Sequence, residues 1–502
     1  MLNVKKLQNI MRQDAGVNGD AQRMEQIAWI LFLKLYDYYE SEWIAENEMD
    51  GTEYHSIIPE HLRWESWAIG QKSPTGEPLL TFVNNELFPT LKALNITEST
   101  PLNQSIVRKV FEDLNNYMKN GYLLREVINE IESSLKIHNR QDFKELCKIY
   151  ESFLKTLQSA GNAGEFYTPR AVTEFMVEML SPKLGESVAD LACGTGGFLI
   201  SAAHFLEKQV NLTNDRKVFK TSFYGVEKKS LPFLLCATNL LINGIENPNL
   251  KHGNAFEFSN FEDFDINLTK FPKFDIILMN PSYGGNERND EIKNFPQEYK
   301  SSETADLFMA LILHRLSFKG KGAVVLPDGF LFGADNAKIN LKRKLLSDFN
   351  LYLILRLPKS VFAPYTSIPT NLLFFNADPQ GTQHTHFYRL DMLEGIKSFG
   401  KTKQISLEHF EPFLQWWQSD RQTLQDESGN FKAKSYTKEE LESRNYNFDL
   451  CGYVSEEEEI LEPLELMEQI KAERDKLNAT LDSAVKIVGL VPLMSLKFTT
   501  IK

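Results

Sequence analysis

The chain has 502 residues, 42% of them hydrophobic and 25% charged, and a net charge of −13. That length allows two or three domains with at least one sizeable core, and the composition is globular rather than disordered or fibrous. The acidic balance argues against a chain that grips nucleic acid through its overall field, because that attraction needs Lys and Arg to neutralise phosphates. A local basic face or a partner subunit is left open.

The first part of the chain reads as a helical domain over 1–157. Met24, Ile27, Ala28, Leu31 and Leu35 recur at helical spacing, and the segments 104–118 and 142–157 repeat the amphipathic pattern. The apolar stretch 27–33 closes at Lys34, too short to span a bilayer, and no secretory signal precedes it. Cys147, Cys193, Cys236 and Cys451 lie far apart without metal-type spacing. They read as reduced thiols in a cytoplasmic protein, with no metal site and no membrane association.

From about 165 short apolar runs alternate with helical segments: 187–192, 222–226, 274–279, 323–326, 351–357 and 372–375. The expectation over 158–400 is an α/β domain with a doubly wound, mostly parallel sheet. The last two runs are joined by a short Pro-containing stretch, 359–370, and are expected to form an antiparallel pair at the sheet edge. The region 401–502 turns polar, then reads as one long helix over 455–488. Ser455 and Glu458 fit a capping box, and Ile470, Leu477 and Ala484 fall seven apart. Such a helix can fold back on its own domain or dock on a partner.

The most informative stretch is "ESVADLACGTGGFLISAA", 186–203. A strand runs to an acidic residue, Asp190, then glycines at 194, 196 and 197 precede a helix starting near Phe198. Such glycines let a ligand approach the backbone and aim helix N-terminal amides at it. A phosphate-binding P-loop would need Lys after the glycines, and the dinucleotide fingerprint would need glycine where Leu199 stands. Glu227 ends the next strand, where a ribose-binding carboxylate belongs, and Asn254 in "HGNAF" can bond an adenine edge. A ligand with an adenosine moiety but no phosphates fits better than NAD or ATP. Upstream, Thr168 is placed to cap a helix with Pro169 at its first position, and Phe166 and Tyr167 can wall a cationic ligand.

The run 274–279 stops at Asn280, Pro281, Ser282 and Tyr283, followed by two glycines. Pro281 ends the pairing. An ordinary strand-to-loop turn would look the same.

Taken together these motifs resemble class I S-adenosylmethionine-dependent methyltransferases, and more narrowly the amino-methylating DNA enzymes. Their [DNS]-P-P-[YFW] motif resembles 280–283. The resemblance is strongest to the modification subunit of type I restriction–modification systems, on "QIAWILFLKLYD", "GEFYTPR", "ACGTGGFL", "LPDGFLF" and "LPKSVFAPYTSIPTNLLFF". It covers nearly the whole chain. It implies that Glu165, Phe166, Tyr167, Thr168, Pro169, Asp190, Gly194, Thr195, Gly196, Gly197 and Glu227 surround S-adenosyl-L-methionine, with Asn254 and Phe256 near its adenine. Asp306 and Phe308 would line the same site, and Asn280, Pro281, Ser282 and Tyr283 would hold the target adenine.

The chemistry suits those residues. Adenine's exocyclic amine is a poor nucleophile because its lone pair is delocalised into the ring. Two acceptors, the Asn280 side-chain oxygen and the Pro281 carbonyl, can favour the pyramidal nitrogen that attacks a methyl group. Tyr283 offers a face for a base flipped out of the duplex. The donor carries its own leaving group, so no metal is required. Ser282 departs from the family's second proline, and Asn254 from a common aspartate.

The implied partners are DNA, a specificity subunit that reads its sequence, a restriction subunit and a second copy of this chain, with the 455–488 helix as docking element. A protein glutamine N-methyltransferase and a non-catalytic S-adenosylmethionine-binding scaffold subunit stay open beside it.

Overall fold

The computed structural model describes residues 3–453, except 71, 136–139, 156–166, 258–272, 283, 284, 286, 289–291, 293, 294, 364, 394, 401 and 402, and then 467, 471, 474, 475 and 478. The expected 455–488 helix, with Ser455, Glu458 and its seven-residue spacing, therefore lies outside the described residues except at 467, 471, 474, 475 and 478, which are helical. Residues Met1–Gly452 form one compact unit and Tyr453–Lys502 a second.

The expected stripe becomes the helix Asp20–Met49, in which Met24, Ile27, Ala28, Leu31 and Leu35 are all buried. The segment 104–118 is helical only as Leu102–Phe111. These helices do not stand apart from the α/β region. Tyr39 donates its hydroxyl to the Leu241 carbonyl at 2.7 Å, and Tyr150 to that of Leu235 at 3.0 Å. Packing is thus continuous across position 157, and one hydrophobic core runs from Leu7 to Ala433.

Among the described residues ten strands form one sheet: β1 (Val188–Asp190), β2 (Phe223–Glu227), β3 (Asn249–His252), β4 (Phe274–Met279), β5 (Leu316–Pro327), β6 (Phe349–Arg356), β7 (Thr370–Ala377), β8 (His384–Arg389), β9 (Leu424–Gln425) and β10 (Phe431–Thr437). Their order is β3-β2-β1-β4-β5-β7-β6-β8-β10-β9. The half from β3 to β5 is parallel throughout. β7 then runs antiparallel to both β5 and β6, and β8 is parallel to β6. The sheet is accordingly mixed. The antiparallel pairing of the last two expected runs is observed, but the pair is interior: β8, β10 and β9 continue the sheet past position 400, so β6 and β7 are not its edge.

The near-continuous apolar strands have a physical cause. Ile276 and Leu278 of β4 enter one core while Ile277 and Met279 enter another, and β7 divides Leu372 and Phe374 from Leu373 and Phe375 in the same way. A sheet covered on both faces needs apolar residues at every position rather than every second one. Helices Arg170–Leu180, Gly197–Glu207 and Ser230–Ile242 cover one face, and Thr304–Arg315 and Asn336–Ser347 the other. Because β7 is antiparallel to its two neighbours, β1 to β6 and β8, apart from β7 itself, all end at one edge, where α/β sheets collect ligands. Among the described residues no helix is long and apolar enough to cross a membrane.

Candidate functional site

The site is built on four strand ends. β1 finishes at Asp190, whose carboxylate is 2% exposed and accepts from the Ala192 amide at 3.1 Å. Burial pushes its pKa up to about 8, against that backbone bond and with help from the Glu227 charge. The chain then turns through Gly194 at φ 53° and Gly196 at φ 81°, a left-handed region that favours glycine. A Cβ on Gly196 would also meet the Cys236 sulfur at 2.9 Å. Gly196 caps the helix that begins at Gly197, so the turn is a strand-to-helix junction as the motif implied.

Two helices clamp this turn. Asn239 donates to the Thr195 carbonyl at 2.9 Å, and Arg170 Nη1 to the Gly197 carbonyl at 2.8 Å. β2 finishes at Glu227, 7% exposed, whose Oε2 accepts from the Gly194 amide at 2.9 Å and whose Oε1 accepts from the Lys229 amide at 2.7 Å. Burial raises its pKa, and these backbone amides oppose the rise. Beyond β3, Asn254 is 4% exposed and folds its Oδ1 back onto the Phe256 amide at 3.1 Å.

β4 delivers Asn280. Its Nδ2 donates to Thr168 Oγ1 at 3.1 Å, and its Oδ1 is buried without a hydrogen-bond partner among the described residues. Buried polar atoms are nearly always paired, so an unpartnered carbonyl oxygen calls for an explanation. This contact also corrects the expectation for Thr168. The helix Arg170–Leu180 starts with Pro169 as its cap residue and receives no side-chain cap bond; the Thr168 hydroxyl holds Asn280 instead.

One cavity is lined by Thr168, Asp190, Gly194, Gly197, Glu227, Asn254, Asn280, Ser282 and Phe308. Nine of the expected residues, distant in sequence, thus converge on it. Others do not line it. Tyr167 is buried and donates its hydroxyl to Glu151 at 2.6 Å, with Arg170 on the same carboxylate, so it ties two helices together rather than walling the cavity. Pro169, Thr195, Gly196 and Pro281 shape the backbone around it. Phe256 is 2% exposed and packs against Phe308 at 4.5 Å between ring centroids; Phe308 and Phe198, not Phe256, are the phenylalanines that line the cavity. Asp306 is fully buried; its Oδ2 accepts from Ser301 at 2.7 Å and from Lys338 at 2.9 Å, away from the lining. Glu165, Phe166 and Tyr283 lie outside the described residues.

The sequence reading missed Lys228, Lys229, Glu287 and Thr304, which also line the cavity. Lys228 and Lys229 directly follow Glu227 and were within reach of the strand-end pattern. Glu287 sits in a polar loop and Thr304 at a helix start, with no pattern to mark either. Among them, Thr304 fastens the loop after Asn280: its amide and Oγ1 donate to the Gly285 carbonyl at 3.1 and 2.7 Å.

The chain matches two family models, N-6 DNA methylase over residues 141–461 and the HsdM N-terminal domain over residues 3–131. It is 42% identical to the type I restriction enzyme EcoEI methylase subunit of Escherichia coli, across 97% of both chains. Among solved structures it resembles a chain described as the modification subunit of a type I restriction enzyme from Vibrio vulnificus YJ016, with a TM-score of 0.75, 38% identity and coverage of 87% and 92% of the two chains. A chain from a structure of the assembly and conformational transition of the type I R-M system aligns with a TM-score of 0.77 at 30% identity, covering 97% and 98%.

Proposed function

Because the chain belongs to the N-6 DNA methylase family, among the methylase subunits of type I restriction enzymes, we propose that it moves the methyl group of S-adenosylmethionine to N6 of an adenine, in DNA whose sequence a separate specificity subunit reads. The single observation that carries this is the buried, unpartnered Asn280 Oδ1 at the cavity wall. An amide oxygen held there by Thr168 is an acceptor in search of an N–H donor, and an exocyclic adenine amine brings one.

The residues fit the donor. The glycine turn leaves room for a ligand against its backbone, and the Glu227 carboxylate stands where ribose hydroxyls would be bonded. Asp190 lines the cavity, and a cationic ligand would favour its ionised form. Asn254 and Phe308 supply a polar edge and an aromatic wall for an adenine. When bound, the donor supplies a methyl on a sulfonium that leaves as a neutral thioether.

The chain's own work is to hold the amine. Thr168 fixes the Asn280 amide with its oxygen free for one N–H, and the Pro281 carbonyl, on a proline-restrained backbone between the cavity-lining Asn280 and Ser282, is proposed to accept the other. As the amine nitrogen turns pyramidal, these acceptors favour its lone pair and share the positive charge that develops; the nitrogen–carbon bond would form as the carbon–sulfur bond breaks, and one N–H proton would then pass to solvent. Tyr283 is proposed to stack on the flipped base. The acidic net charge fits a subunit that leaves sequence reading to the specificity subunit. The same complex would hold the restriction subunit and a second copy of this chain, and the four free thiols suit a cytoplasmic setting.

The test is transfer of radiolabelled methyl to unmethylated DNA by this chain with and without its specificity subunit, followed by nucleoside analysis. Label in N6-methyladenine, dependent on the partner, is the expected result. A complex that binds DNA and donor but transfers nothing would favour the scaffold reading. Label in a glutamine side chain would favour the protein methyltransferase.

A further inference from the structure

Glu287 stands seven residues beyond Asn280, after the proposed target-holding turn, yet two of its contacts reach the other side of the cavity. Its Oε2 lies 3.0 Å from Lys228 Nζ and 3.4 Å from Asn254 Nδ2. Lys228 directly follows Glu227 at the end of β2, and Asn254 follows β3, so one carboxylate joins the β4 loop to two neighbouring strand ends. Gly285, which lies between Asn280 and Glu287, is held as well. Gly285 accepts both bonds from Thr304, and a Cβ there would sit 2.8 Å from Thr304 Oγ1.

Stability alone gives little reason for this arrangement. The Glu287 side chain is 13% exposed but Lys228 is 48% exposed, and an ion pair so open to water contributes little. Its effect is positional. We propose that Glu287 is a positioning residue that couples donor binding to target-base placement, by tying the loop behind Asn280 to the donor side of the cavity. This rests on the donor and target reading given above. A ligand that orders Glu227, Lys228 and Asn254 would thereby order the Asn280 loop. By linkage, the target base would in turn tighten the donor by the same factor.

The experiment measures affinity of the reconstituted chain–specificity subunit complex for its target duplex, with and without S-adenosylhomocysteine, a non-reactive product. In the wild type the product should tighten DNA binding by about fivefold or more. In E287A that ratio, taken against the variant's own DNA affinity without the product, should fall toward one, whereas general destabilisation would weaken both affinities alike and leave the ratio in place. E287Q, which keeps an acceptor for Asn254, should fall between. The exchange K228E/E287K should recover part of the ratio lost in either single variant. An undiminished ratio in E287A, or a wild type that binds the product and methylates DNA with no ratio to lose, would overturn the coupling and leave the function standing. A wild type that binds no product at all would overturn both.

Discussion

Asn280 Nδ2 and Thr168 Oγ1 meet at 3.1 Å across 112 residues of sequence, and the bond leaves Asn280 Oδ1 buried and unpaired. The amide can rotate, and among the described residues this bond is what sets its orientation. A donor group presented to Oδ1 completes its hydrogen bonding without moving the side chain.

Removing the hydroxyl should therefore impair the reaction through orientation. T168V is expected to lower kcat about fivefold, equivalent to one hydrogen bond of about 1 kcal/mol, with donor affinity little changed. T168S should retain most activity. N280A removes the acceptor itself and should cost about a hundred- to thousandfold in kcat. Single-turnover methylation with saturating donor separates these effects, and equal losses in T168V and T168S would count against the orienting role.

Donor affinity should depend on Glu227. E227Q is expected to raise the Kd for S-adenosylmethionine about ten- to hundredfold, as for loss of a charge-assisted bond worth about 1.5–3 kcal/mol. Calorimetric titration measures it, and a melting scan checks that the Gly194 and Lys229 amides have not been left to unravel the turn.

Asp190 predicts a pH signature. Its pKa lies at about 8 in the fold against an ordinary 3.8, so the folded chain keeps a proton that the unfolded chain has lost. Between these values the folded state binds more protons, and stability falls as pH rises. The contribution is complete below the lower value and gone above the upper. D190N has no such proton to lose. Melting temperatures of the donor-free protein from about pH 5 to 9 should show the wild type losing ground to D190N as pH rises and levelling off above about 8. A difference that does not change with pH would show that Asp190 is ionised throughout.

Gly196 combines backbone and steric demands. At φ 81° an L side chain costs about 1–2 kcal/mol, and the new Cβ would also press on the Cys236 sulfur at 2.9 Å. G196A should lower the melting temperature and weaken donor binding. G196A/C236A should recover only the steric part, since the backbone strain remains.

The parts legible in the sequence were those with a local cause. β4 was read over 274–279 and is Phe274–Met279, because both its faces are buried and Pro281 stops the pairing. β8 and β10 escaped because their segments carry His384, His386, Lys432 and Lys434 at positions that are not buried, and those residues broke up the kind of apolar run that marked β1, β2, β4, β5, β6 and β7. Thr168 was misread for a related reason. Thr-Pro before a helix satisfies the capping pattern, but a hydroxyl forms its bond wherever the fold supplies a better partner.

The order of residue types along this chain determined by itself the strand ends, the glycine turn and the type of pocket they form, because backbone propensity and burial pattern act over a few residues. The tertiary structure decided which side chains face the cavity: Phe308 rather than Phe256, Thr168 onto Asn280, and Glu287 across to Lys228 and Asn254. Strand order brings these groups together from distant positions, and packing and hydrogen bonding then select the orientation of each.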